Sequence, residues 1–132
     1  MKKRVIRISC ILIIMLFSVM YILGEKQFSL ELNEVSMIEI FNGQTGNNII
    51  IQDEEEIKKI VNNLNEVSMK CQEISFLKSG YALRFSIYNS GGKKIESFVI
   101  NSKNSIRRTF FSYQVIKGEL NYKYFYNLVE KK

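Results

Sequence analysis

The sequence has no histidine, no tryptophan and no proline, and only two cysteines in 132 residues. Without histidine the chain lacks the commonest general base, the usual partner of a serine or cysteine nucleophile, and the standard transition-metal ligand. Cys10 falls inside an apolar run near the N-terminus and Cys71 stands alone in the rest, so no disulfide can form within the part that follows the run. A disulfide-stapled scaffold is thereby excluded. Acidic residues are missing from the first 24 positions, because all 13 lie from Glu25 onward. Internal repeats and low-complexity tracts are also lacking.

What the chain does have at its start is charge followed by oil. Lys2, Lys3, Arg4 and Arg7 precede Ile8 to Leu23, 16 residues without a charge. As a helix this run reaches about 24 Å at 1.5 Å per residue, a little short of a hydrocarbon core of roughly 30 Å. Val5, Ile6 and the alkyl stems of the leading cations add length on one side. The exit, Ser18-Val19-Met20-Tyr21-Ile22-Leu23-Gly24, offers no alanine and only a poor cleavage position after Gly24. Residues 1-24 are therefore expected to form an uncleaved signal anchor, a transmembrane helix whose residues 8-23 lie in the membrane. Secretion after signal cleavage is the alternative, and a buried helix of a soluble core is the third reading. The positive charge ahead of the run places the N-terminus in the cytoplasm and everything after Gly24 outside. Residues 25-34 read as a short juxtamembrane linker, and 35-132 as one extracytoplasmic domain.

The net charge of +6 would suggest a polyanion partner, but it is concentrated in the leader. Fifteen of the 19 Lys and Arg remain beyond Gly24 against all 13 acids, a net of +2. Nucleic acid is not an expected partner. Arg107-Arg108 followed by Thr109-Phe110-Phe111-Ser112-Tyr113 does interleave cations and aromatics as single-strand binders do, yet a sheet with one buried face produces the same letters.

Glycine and asparagine punctuate the remainder. Residues 35 to 41 and 48 to 52 flank Asn42 to Asn47 as a hairpin with a longer loop. Strand-like runs follow at 67 to 77, 81 to 88, 94 to 100 and 105 to 115, the last as two short strands or one bent one. In the second of these, Tyr81, Leu83, Phe85 and Ile87 share one face, and Ala82, Arg84, Ser86 and Tyr88 the other. Between hairpin and strands, Ile57, Ile60, Val61 and Leu64 recur at helical spacing. Asp53 is the expected N-cap with Glu56 closing a capping box, and Glu54 to Lys58 and Glu55 to Lys59 are expected i, i+4 pairs. At the C-terminus Tyr122, Tyr124 and Tyr126 alternate as in a strand. Tyr122, Phe125, Tyr126 and Val129 also fit a helix, capped by Asn121, which is the reading adopted. The expected class is α+β: an N-terminal transmembrane helix, then one antiparallel-sheet domain with an internal helix and a C-terminal helix on one face.

No constellation of catalytic, cofactor-binding or metal-ligating residues can be assembled from these elements. Asp53 to Glu56 is explained as a helix start, and Cys71, in phase with Met69, as core packing. Arg84, Tyr88, Arg107, Arg108 and Tyr113 form the candidate interaction surface, since amphipathic rings and guanidinium groups suit a protein or wall ligand. The expected function is a non-enzymatic binding module recognising an envelope protein or cell-wall component. A small envelope enzyme using Glu73 or Glu96 with Arg84, or an immunity or inhibitor protein, is the alternative.

Certain pieces also carry a likeness. The likeness covers about residues 35 to 130, and its specific pieces are the NG-x-TG first loop, the helix opening D-x-E-E-I, the turn Y-N-S-G-G-K and the I-N-S element before the paired arginines. Together they resemble a small extracytoplasmic domain family of unknown function, secreted or membrane-anchored, in low-GC Gram-positive bacteria. The likeness implies an α+β fold and an outward location, and assigns no site residue.

Overall fold

A computed structural model describes residues 1 to 75 and 82 to 131. Three α-helices and eight strands follow the order α1 (Lys2–Leu23), β1 (Lys26–Gln27), a 3-10 turn (Leu32–Glu34), β2 (Met37–Asn42), β3 (Asn48–Ile51), α2 (Glu54–Asn65), β4 (Ser68–Ile74), β5 (Leu83–Tyr88), β6 (Lys94–Ser102), β7 (Ser105–Arg108), β8 (Phe111–Lys117) and α3 (Tyr122–Glu130). The strands make one antiparallel sheet, ordered β1-β4-β8-β7-β6-β5-β2-β3. Strands β5 to β8 run as a meander of hairpins, and α2 carries the chain from the β3 edge to β4 near the other edge. The α+β architecture, both later helices and the division of 105 to 115 into two strands agree with the sequence pattern. Tyr81 and the end of the 67 to 77 run lie outside the described residues.

Helix α2 forms where its periodicity says it should. Asp53 Oδ1 accepts from the Glu56 amide at 2.9 Å, satisfying one of the amides that a helix start leaves without a partner. Ile57, Ile60, Val61 and Leu64 are all buried. One expected pairing differs: Lys59 bonds the Glu56 carboxylate at 2.8 Å, one turn position nearer than Glu55. Helix α3 buries Phe125 and Val129. Asn121 stands at its N-cap position without a side-chain cap bond, and its amide donates instead to Asn63 Oδ1 of α2 at 2.9 Å.

The core lies between these two helices and one side of the sheet. Ile40, Phe85 and Phe98 sit opposite one another on β2, β5 and β6. Phe85 stacks on Phe98 with centroids 5.2 Å apart, and Phe125 of α3 meets Phe85 edge-on at 5.2 Å, both favoured ring geometries. Gly118, between β8 and α3, has φ +75, and a Cβ there would come within 2.7 Å of the Glu66 carbonyl oxygen. Only glycine fits a turn that both needs a left-handed backbone and lets two chains approach this closely.

The segment read as a linker is packed. Lys26 and Gln27 pair with Met69 and Ser68 as an added edge strand, Phe28 is buried, and Asn65 holds both the amide and the carbonyl of Leu30 at 3.0 and 2.9 Å. Gly24 and Glu25 alone separate α1 from the sheet, about 11 Å of chain at full extension. Helix α1 itself buries no residue.

Candidate functional site

Directly opposed residues of antiparallel strands project from the same side of a sheet, so register sorts the candidate residues. Asn42, Leu83, Ile100, Ile106, Tyr113 and Cys71 form one continuous row across the sheet. Leu83, Ile100 and Ile106 in it are fully buried, which marks this as the helix-covered side. The neighbouring row, Phe41, Arg84, Val99, Arg107, Ser112 and Glu73, projects from the other side. The five candidates thus do not form one surface. Arg84, Tyr88 and Arg107 share the side away from the helices, whereas Arg108 and Tyr113 alternate onto the helix side.

On the far side, Arg84 lies with its guanidinium carbon 5.1 Å from the Phe41 ring centroid, a cation–π distance. The Tyr88 hydroxyl donates to Glu39 at 3.2 Å, and Lys94 Nζ stands 5.5 Å from the Tyr88 ring centroid. A shallow cleft of about 240 Å³ on this side brings together Arg84, Arg107 and Arg108 with Ser97, Val99 and Thr109, although the Arg108 head group turns to the helix side. Arg84 is exposed, and Tyr88 and Arg107 are half-buried. Two guanidinium groups and, further along β5, a phenol give this side of the sheet cationic and amphipathic character, suited to carboxylate-bearing or amide-bearing ligands.

The helix-side pair serves packing. Arg108 bonds Glu96 at 2.7 Å and lies 4.9 Å from the Phe28 ring, closing the open end of the core. Tyr113 is held above its ordinary pKa by burial first and by neighbouring Cys71 second. Cys71 is half-buried, less enclosed than Met69, because the β4 bulge between Cys71 and Glu73 lifts this part of the strand from regular pairing. The proposed carboxylates also separate. Glu96 lies opposite Ile87 on the helix side, while Glu73 lies on the other side, four strands from Arg84 in the sheet, or roughly 19 Å at 4.8 Å per strand.

Two polar clusters escaped sequence reasoning. Glu130, at the end of α3, accepts from Asn42 Nδ2 at 2.9 Å, Thr45 Oγ1 at 2.8 Å and Asn47 Nδ2 at 3.0 Å, which satisfies the buried Asn42 and ties the first loop to the last helix. Its members lie more than 80 positions apart, so no local pattern announces them. In the second cluster, the Tyr124 hydroxyl donates to Glu56, which also holds Lys59. Burial, then the Glu56 bond, pushes Tyr124 up to about 12, and bonding to Lys59 first and Tyr124 second holds Glu56 below its usual range. Folding favours the neutral phenol, so its contribution is complete below the ordinary pKa of 10.0 and is lost as pH rises toward about 12. Glu56 acts at the other end, contributing above its usual 4.5 and fading as pH falls. Tyr124→Phe should therefore flatten the fall in melting temperature between pH 10 and 12 that the native chain shows, as read by thermal scans across that range. An unchanged slope would remove Tyr124 as its source.

A second concavity, a groove of about 580 Å³, runs between the 3-10 turn and the start of α2, lined by Leu32, Val35, Gln52, Glu54, Glu55 and Lys58. Among the described residues, no group of three or more His, Cys, Asp or Glu is placed to hold a metal ion. Comparison with known proteins returns no matching family model, no matching curated protein and no matching solved structure.

Proposed function

We propose that this chain is a membrane-tethered, outward-facing interaction module without catalytic activity, which binds an envelope protein or wall component through the side of the sheet bearing Arg84, Tyr88 and Arg107. The observation that carries the reading is α1. Its most apolar 18-residue stretch has a mean hydropathy of 2.5 and none of its 22 residues is buried, and that much exposed apolar surface favours lipid over water. Four cations precede the span, so the N-terminus stays in the cytoplasm and the sheet lies outside. What supports the binding side is its mixture of guanidinium groups and a half-buried phenol on a rigid sheet.

A photoreactive residue at position 88, compared with one at exposed Lys123 on α3, tests the reading in intact membranes. The expected result is a discrete adduct from position 88 and none from 123, reduced at least fivefold by Arg84→Glu with Arg107→Glu. Equal yields from both positions would overturn the assignment of this side.

A further inference from the structure

The proposal concerns where the sheet sits once α1 is in the bilayer, and it rests on reading α1 as an anchor. Ile74 at the end of β4 is 68% exposed and Phe110, in the β7–β8 turn, is 59% exposed. Their backbones are adjacent, since Ile74 pairs with Phe111 and the Ser75 amide donates to the Phe110 carbonyl at 2.8 Å. Large apolar side chains left exposed at one end of a sheet lose hydration cost only by finding an apolar partner.

The chain path names that partner. Because Lys26 pairs with Met69 and Gln27 with Ser68 in antiparallel register, the residues preceding Lys26 run along β4 toward Ile74. Helix α1 approaches β4. The Lys26 ammonium lies 3.4 Å from the Tyr21 ring centroid, pinning the junction. With only Gly24 and Glu25 between helix and strand, the sheet has no slack with which to stand away from the bilayer. The neighbouring β5–β6 hairpin ends on this same end of the sheet with exposed Lys93 and Lys94, which suit anionic headgroups.

We propose that the end of the sheet bearing Ile74 and Phe110 rests in the headgroup region of the membrane that α1 crosses, with both side chains inserted among the lipids. Phe110 then acts as a second, interfacial anchor, fixing the tilt of the sheet so that the Arg84 side stands at a constant angle to the membrane.

The test uses the full chain with Cys10→Ser and Cys71→Ser, reconstituted in vesicles of phosphatidylcholine and phosphatidylglycerol that contain lipid spin-labelled near the headgroup or, separately, at mid-chain. A bimane fluorophore is attached at Phe110→Cys, at Asn104→Cys in the turn at the opposite end of β7, or at Leu16→Cys within α1. At least twofold quenching by the headgroup label at position 110, with none at 104 and mid-chain quenching at 16, is the expected result. Quenching at 110 no greater than at 104, while position 16 is quenched, overturns the tip contact and leaves the anchor intact. Absence of quenching at 16 overturns the anchor, and the tip contact falls with it.

Discussion

Phe85→Ala should lower the folding stability of this chain by about 3–5 kcal/mol, the usual cost of truncating a buried aromatic ring. Phe85 is fully buried at the centre of the sheet, between Ile40 and Phe98 on neighbouring strands, and it meets the only ring that α3 sends fully into the core, Phe125. Removing it empties the site where helix and sheet join, so the surrounding side chains have little freedom to close the gap. Since domains of this size are stable by roughly 5–15 kcal/mol, the variant should approach unfolding at physiological temperature. Val99→Ala, half-buried on the other side of the sheet, should cost about 1 kcal/mol or less, as surface changes do. Urea titration of both variants in nanodiscs, followed by tyrosine emission, measures the difference. Equal midpoints would mean that the core is not organised around this ring cluster.

How much of this was legible beforehand follows from what each element depends on. Helix α2 could be read residue by residue because its cap and its apolar period are local, and the alternation of β5 is local in the same way. Strand β1 could not, being two residues long and existing only because Met69 and Ser68 lie within reach. Phe28, isolated among polar neighbours, looked like part of a linker, yet the Phe98 ring 4.7 Å away draws it into the core. Arg107 and Arg108 invited treatment as one basic pair, although alternation along a strand sends consecutive side chains to opposite sides. Which side each takes depends on register with β6 and β8, which composition does not encode. The Glu130 clamp is still more remote, joining the first loop to the last helical residue.

Placing aspartate at two positions in the middle of α1, Ile13→Asp with Leu16→Asp, should have a comparably large effect on location. Each acid at the centre of a spanning helix costs about 2.5–3.5 kcal/mol on insertion scales. Together they lower partitioning into the membrane by about 4 × 10³ to 10⁵, at about 1.4 kcal/mol per factor of ten. The native chain should resist carbonate extraction, and the variant should appear in the soluble fraction or fail to be exported. No compensating loss is expected within the sheet, because neither residue touches the core. A variant that remained in the carbonate-resistant membrane would show that α1 is not what holds the chain there.

The arrangement as a whole turns on sidedness, and one labelling experiment reads it. In a background lacking both native cysteines, Asn104→Cys lies in the exposed β6–β7 turn, at the end of the sheet away from the bilayer, and Lys3→Cys precedes the apolar run. A membrane-impermeant maleimide applied to intact cells should modify position 104 and should reach position 3 only after the membrane is opened. Modification of position 3 with protection of position 104, or protection of both until lysis, would contradict a sheet held on the outer surface by α1.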